Sequence, residues 1–245
     1  MSHIKIQSYL IVGKTGSGKT FSSKQILENE FKSIPMDNRF LISPTAKEDM
    51  DTTLLPYFEQ ENIYNEYDDD FVGEVLLELI KTERKEIYDN YHYTFNDKGK
   101  RIRIKRKAGD KPDYPEYLVF VDDCIEHLKK TKGISSLITK SRHYGINLII
   151  TSQYLKSVHS IIRTNVKNIF VFSNNSNEVR KLFEEHGSIF DNFKDFKNYF
   201  NMLTEEPYTY FKINYNYPVS RALNDNDVTP KEFLGGQAPT DGTDD

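Results

Sequence analysis

Short, continuous apolar runs alternate along this chain with longer stretches whose apolar residues recur at helical spacing. The runs at 4–12, 39–43, 117–121, 146–153, 168–172 and 208–215 read as strands. Pro44 stops the second of them. Between them, 18–32, 71–90, 134–144, 176–186 and 191–203 read as helices. A run that is apolar throughout marks a strand covered on both faces, which is the habit of parallel sheets. Strands alternating with helices therefore predict an α/β fold, with a mostly parallel central sheet flanked by helices. A ligand is expected at the carboxyl ends of its strands.

Two segments break the alternation. Residues 46–70 are polar and irregular and end in Asp68, Asp69 and Asp70, an acidic run suited to the N-terminus of the helix that follows. In that helix Val72, Val75, Leu76, Leu79, Ile80 and Ile87 form the expected buried stripe. Next, 91–95 and 100–107 flank a Gly-containing turn and read as a β-hairpin. Its second arm alternates Arg101, Ile102, Arg103, Ile104 and Lys105, with one basic and one apolar face. The expected organisation is one domain over 1–222, with the helix and basic hairpin inserted at about 60–112 and a polar, loosely ordered tail over 223–245.

At 245 residues the chain is long enough to bury a full α/β core. Its net charge of −4 means that any contact with nucleic acid must come from a local patch. The density of Lys98, Lys100, Arg101, Arg103, Lys105, Arg106 and Lys107 supplies one, suited to phosphate backbone without base readout. A solvated face or a capsid-docking surface is the alternative. A single cysteine, Cys124, excludes an intramolecular disulfide and fits a reducing setting; it is expected to be a small buried residue. His143, His159 and His186 lack a metal-ligand spacing. There is no 18-residue apolar run and no signal-peptide core at the N-terminus.

The chemistry begins at the end of the first strand. Gly13, Lys14, Thr15, Gly16, Ser17, Gly18, Lys19 and Thr20 spell G-x-x-x-x-G-K-T between a predicted strand and a predicted helix, which is the required setting of a phosphate-binding P-loop. Backbone N–H groups and the helix N-terminus would cradle the phosphates of ATP. Lys19 would reach the β- and γ-phosphates, and the Thr20 hydroxyl would ligate Mg²⁺. The run at 117–121 leads into two acids. Asp122 would hold Mg²⁺, mainly through a coordinated water, and Asp123 would act as general base on the attacking water. Gln153, at the end of the next strand, would bond that water and the γ-phosphate. The second acid and this glutamine favour the RecA-like arrangement, in which an extra strand lies between the P-loop strand and the metal-binding strand.

Ser141-Arg142-His143-Tyr144-Gly145-Ile146-Asn147-Leu148-Ile149-Ile150-Thr151-Ser152-Gln153 resembles the FtsK–HerA superfamily of DNA-pumping ATPases, and the likeness runs over about 5–185. Within it the chain is most similar to the genome-packaging ATPases of large DNA viruses and virophages, the poxvirus-type enzymes included. The resemblance implies an ATP-driven, sequence-independent double-stranded DNA translocase working as a ring of five or six subunits. It implies a capsid vertex or inner-membrane protein as docking partner, and a place in the infected cell's cytoplasm or in the virion. It also implies an arginine that serves the neighbouring subunit's site, either Arg142 or Arg163. Asp123 stands where the superfamily usually has glutamate. A conjugative or chromosomal translocase and a non-pumping nucleotide switch are the rival readings.

Overall fold

The computed structural model describes residues 6–46, 53–96, 101–109, 115–124, 128–129, 131–188, 190–214, 217–223 and 226–228. Six strands form the parallel body of one sheet: β1 (Ser8–Val12), β2 (Arg39–Ile42), β3 (Ile63–Tyr64), β6 (Tyr117–Val121), β7 (Ile146–Ser152) and β8 (Asn168–Phe172). They run in the order β8-β1-β7-β6-β2-β3. β7 pairs with β1 on one side, Val12 opposite Ser152, and with β6 on the other, Val121 opposite Ile150. One strand thus separates the P-loop strand from the strand that ends in the acids, as the RecA-like reading expects.

Every residue of β1, β2, β6, β7 and β8 is buried. Neighbouring residues point to opposite faces of a strand, so these apolar runs feed two cores. Leu10, Val12, Val119, Val121, Leu148 and Ile150 face one layer; Tyr9, Ile11, Phe120, Ile149 and Phe170 face the other. The first layer is covered by α2 (Leu76–Asn90), α3 (Gly133–Tyr144), α4 (Ser160–Asn165), α5 (Ser176–His186) and α6 (Phe193–Leu203). The second is covered by α1 (Lys19–Asn29) and the segment around Leu54 and Phe58. Truncating one such core side chain to alanine costs about 2–5 kcal/mol. Arg39 is buried in β2, and its guanidinium donates to Phe31 O (3.0 Å) and Ile34 O (2.7 Å), tying down the chain just after α1.

Four features differ from expectation. The helix at 71 opens with a π-helical turn, Phe71–Val75, before α2 begins. At that turn Gly73 abuts the N-terminus of α3, where an added Cβ would lie 2.7 Å from Gly133 Cα. This close approach turns Leu77 inward and leaves Val75 (57% exposed) and Leu79 (47%) outside the buried stripe. The acidic run divides its work. Asp68 accepts from Phe71 N (2.8 Å) and caps its own helix. Asp69 reaches instead to α3, accepting from Lys132 N (3.0 Å) and Gly133 N (2.9 Å).

The hairpin forms from β4 (Tyr91–Phe95) and β5 (Arg101–Lys105) as a separate two-stranded sheet, with Ile102 and Ile104 exposed. Its apolar face is therefore not part of the core. Finally, β9 (Tyr210–Asn214) runs antiparallel to β8 and is followed by β10 (Tyr217–Leu223) and β11 (Asn226–Val228). The sheet thus reaches Val228, past the expected tail boundary at 222; the rest of that tail lies outside the described residues.

Candidate nucleotide site

β1 delivers the P-loop between its two neighbours, and Gly13 N donates to Ser152 O (3.0 Å) at the end of β7. Gly13 has no room for a side chain, since an added Cβ would lie 2.4 Å from Ser17 Oγ and 2.9 Å from Phe172 Cβ. Gly18, the residue before α1, has φ +106°, a backbone that favours glycine. Lys19 is the first residue of α1, and its Nζ donates to Gly13 O (2.8 Å) and Lys14 O (3.2 Å). The amino group is thereby held within the curl of the loop. Burial lowers its pKa, and the Asp123 and Asp122 carboxylates oppose that shift.

The two acids stand across from this lysine at the end of β6. Asp122 Oδ1 accepts from Thr151 Oγ1 (2.5 Å) and Oδ2 from Ser43 Oγ (3.3 Å). Burial raises its pKa, and the two hydroxyl donors and Lys19 only partly oppose this, with Asp123 raising it further. A nearby cation therefore has a large effect to exert on Asp122, because it favours the charged form. Asp123 sits at φ +48°, with its N–H donating to Thr151 Oγ1 (3.0 Å). Aspartate enters this left-handed region more readily than most residues, which gives the shorter acid at this position a physical reason. Asp123 Oδ2 accepts from Gln153 Nε2 (2.9 Å), whereas Oδ1 is buried with no hydrogen-bond partner among the described residues. An orphaned carboxylate oxygen beside a P-loop lysine is a poised acceptor. Cys124, just behind the pair, is buried as expected, its thiol pushed up to about 12 by burial and the two carboxylates.

Thr20, Ser43 and Asp122 line one pocket together with Thr45, Leu41, Ala46, Leu54 and Leu55. Hydroxyl and carboxylate oxygens are the donors that Mg²⁺ takes, so the residues present fit that ion. Lys19, Asp122, Asp123 and Gln153 are thus brought together at the carboxyl ends of β1, β6 and β7. Thr151 and Ser43, which buttress the acid pair, were not singled out by sequence reasoning. Their signal was a hydroxyl residue at the end of each strand that neighbours β6.

Other candidates stand apart. Arg142 is exposed in the last turn of α3. That helix ends where β7 begins, so Arg142 lies at the amino-terminal end of the strands, opposite the end that carries the P-loop. At about 3.3 Å per residue the length of β7 excludes it from its own subunit's site. Arg163 is buried: its Nε donates to Glu185 Oε2 (2.7 Å), its Nη2 to Glu185 Oε1 (2.5 Å), and its Nη1 to Val158 O. A guanidinium so engaged holds α4 to α5, which removes the runner-up reading of Arg163 as a residue projecting into a neighbour. In the hairpin, Arg103 pairs with Glu83, and Arg106 donates to Tyr88 O, both on α2. Lys105 and Lys107 are exposed. Lys98 and Lys100 lie outside the described residues, and only the backbone of Arg101 is described.

Comparison with known proteins agrees with this geometry. A viral protein called uncharacterized protein 075L, from Invertebrate iridescent virus 6, is 26% identical over 198 residues, 80% of this chain and 66% of its own length. Uncharacterized protein L437 of Acanthamoeba polyphaga mimivirus is 24% identical over 187 residues, 75% of this chain and 58% of its own length. The chain thus spans less than two thirds of these relatives.

Among solved structures, the genome packaging NTPase B204 of Sulfolobus turreted icosahedral virus 2, in complex with AMP, superposes with a TM-score of 0.56 at 14% identity. That match covers 89% of this chain and 97% of B204. EssC ATPases 2 and 3 from Geobacillus thermodenitrificans superpose with a TM-score of 0.55 at 15% identity, covering 99% of this chain and 41% of EssC. At such identities the likeness establishes the P-loop NTPase fold. The family described as Poxvirus A32 protein matches residues 5–214, the whole span from the P-loop strand to β9, and the chain belongs to that family.

Proposed function

We propose that this protein is an ATPase that drives double-stranded DNA through a ring of its own copies to package a viral genome. The observation that carries the reading is the Asp122–Asp123–Gln153 group facing Lys19 across the P-loop, with one Asp123 oxygen left for a further partner. Its family, and the naming of B204 as a genome packaging NTPase, support the packaging role.

In this reading the N–H groups of Gly13 to Thr20 and the Lys19 ammonium bind the phosphates of ATP. Thr20 and Asp122 are the residues that would hold Mg²⁺, which supplies charge to the phosphate oxygens. Thr151 and Ser43 orient the Asp122 carboxylate through the bonds given above. Gln153 fixes one oxygen of Asp123, and the other takes the proton of the water that attacks the γ-phosphate. Because Gln153 touches the base, it is also suited to report the state of the γ-phosphate to the rest of β7.

Arg142 lies too far from its own subunit's site to serve it, so in this reading it acts at a neighbour's nucleotide, with hydrolysis at subunit interfaces. Lys105 and Lys107 are exposed cations of the hairpin and suit contact with the DNA backbone. Work in the infected cell's cytoplasm or in the virion fits the viral relatives. Among the described residues no helix is long and apolar enough to cross a membrane.

The test is the ATPase rate with and without duplex DNA, across protein concentration. A rate that rises with DNA, and more steeply than linearly with protein, is expected. Lys105→Glu with Lys107→Glu should weaken duplex binding and flatten its salt dependence by about 0.9 in log–log slope per lost phosphate contact. A rate indifferent to DNA and proportional to protein would make the protein a nucleotide switch, not a motor.

A further inference from the structure

The turn that leads into β9 carries a strained residue, and the phosphate chemistry above does not use it. Glu206 O accepts from Thr209 N (3.3 Å) and from Thr209 Oγ1 (2.7 Å), closing a four-residue turn. Pro207 stands second in it, and Tyr208 third with φ +66°. Proline followed by a positive φ is the pattern of a type II turn, whose third position favours glycine or asparagine. A large aromatic residue there is strained. Burial does not offset the strain, since Tyr208 is 70% exposed, the most exposed large hydrophobic side chain among the described residues.

The turn does secure a position for the ring. A Cβ added at Gly18 would lie 3.2 Å from Tyr208 Cδ1 and 3.3 Å from Phe172 Cε1. The tyrosine therefore leans on the P-loop backbone immediately before Lys19, at the open rim of the site. Strain held without burial, beside a ligand-binding loop, is the kind of outlier that points to a functional constraint.

We infer that Tyr208 is the platform on which the base of the bound nucleoside triphosphate stacks. The inference rests on the nucleotide-site reading above and adds what the base meets. A phenol ring presents a π-face and does not read the base edge, so adenine and guanine are held alike.

The chain contains no tryptophan, so Tyr208→Trp introduces a single indole reporter. Its fluorescence should be quenched by ATP and by GTP and left unchanged by tripolyphosphate, which has no base. Tyr208→Gly removes the ring and supplies a residue the turn favours. It should raise the Kd for ATP about 5- to 150-fold, the range that loss of one base–aromatic stack predicts. Its Kd for tripolyphosphate should stay within twofold of the parent's, and its Tm should not fall. An unchanged ATP affinity, an equal loss for ATP and tripolyphosphate, or a markedly lower Tm would overturn the stacking role and leave the nucleotide site standing. A parent protein that binds neither ATP nor tripolyphosphate would overturn the nucleotide site and this inference with it.

Discussion

Asp123 is the side chain on which the proposed chemistry converges. Its backbone is left-handed, its N–H is held by Thr151, one oxygen is held by Gln153, and the other has no partner among the described residues. Asp123→Asn keeps the shape and the Gln153 neighbour but removes the basicity. We expect nucleotide affinity close to the parent's and hydrolysis slower by about 10²–10⁴-fold, the usual worth of a general base. Single-turnover hydrolysis of pre-bound ATP, set beside the equilibrium Kd, makes the comparison. A collapse in affinity with the rate on bound ATP preserved would instead make Asp123 a binding residue.

Between elements, two buried or half-buried charges act as joints. Asp69 ties the turn before α2 to the N-terminus of α3. Burial tends to raise its pKa, but bonds from Thr131, Tyr67 and the backbone N–H groups of Gly133 and Lys132 bring it below the usual carboxylate range. A depressed carboxyl pKa stabilises the fold above the unfolded-state value, about 3.9 for Asp, and that contribution is lost as pH falls through the folded-state value. Asp69→Ala should therefore cost about 0.5–2 kcal/mol at pH 7, as other lost helix caps do. The gap between parent and variant in urea denaturation should narrow below about pH 4.

Arg163 joins α4 to α5 through Glu185. Arg163→Ala leaves Glu185 paired with Lys181 and removes the donor to Val158 O, and should destabilise the fold by about 1–3 kcal/mol. ATP hydrolysis per folded molecule, measured well below the lowered Tm, should be nearly unchanged. A stable but inactive Arg163→Ala protein would return Arg163 to the nucleotide chemistry.

In the proposed ring, the placement of Arg142 makes a prediction that no single subunit can satisfy. Arg142→Ala leaves its own P-loop intact, and Lys19→Ala leaves its own arginine intact. Each protein alone should hydrolyse ATP poorly. Mixed rings, however, contain interfaces where an intact P-loop faces an intact arginine. Activity should reappear in the mixture, partial in size, and vanish on dilution below the assembly concentration. Mixed assembly without recovery at any ratio would show that Arg142 does not serve a neighbour's site.

What could be read from the linear chain is whatever short-range chemistry dictates. The P-loop was legible because strand, glycine-rich turn and helix are contiguous, and continuous apolar runs announced a sheet buried on both faces. The acids and Gln153 were legible because strand ends are marked where an apolar run meets polar residues. The strand order, which brings 122–123 and 153 to the P-loop from far along the chain, follows from packing between distant segments; sequence spacing only favoured it. Packing also set the rotation of α2, where contact between Gly73 and Gly133 overrode the apolar spacing and left Val75 and Leu79 outside. It sent Asp69 to a helix remote in sequence and buried Arg163 against Glu185, a pairing invisible until α4 and α5 met. Tyr208 looked like the start of a strand. A turn closed by Thr209 instead sets its ring against Gly18, because contacts across the sheet, unlike helix or strand period, carry no local signature.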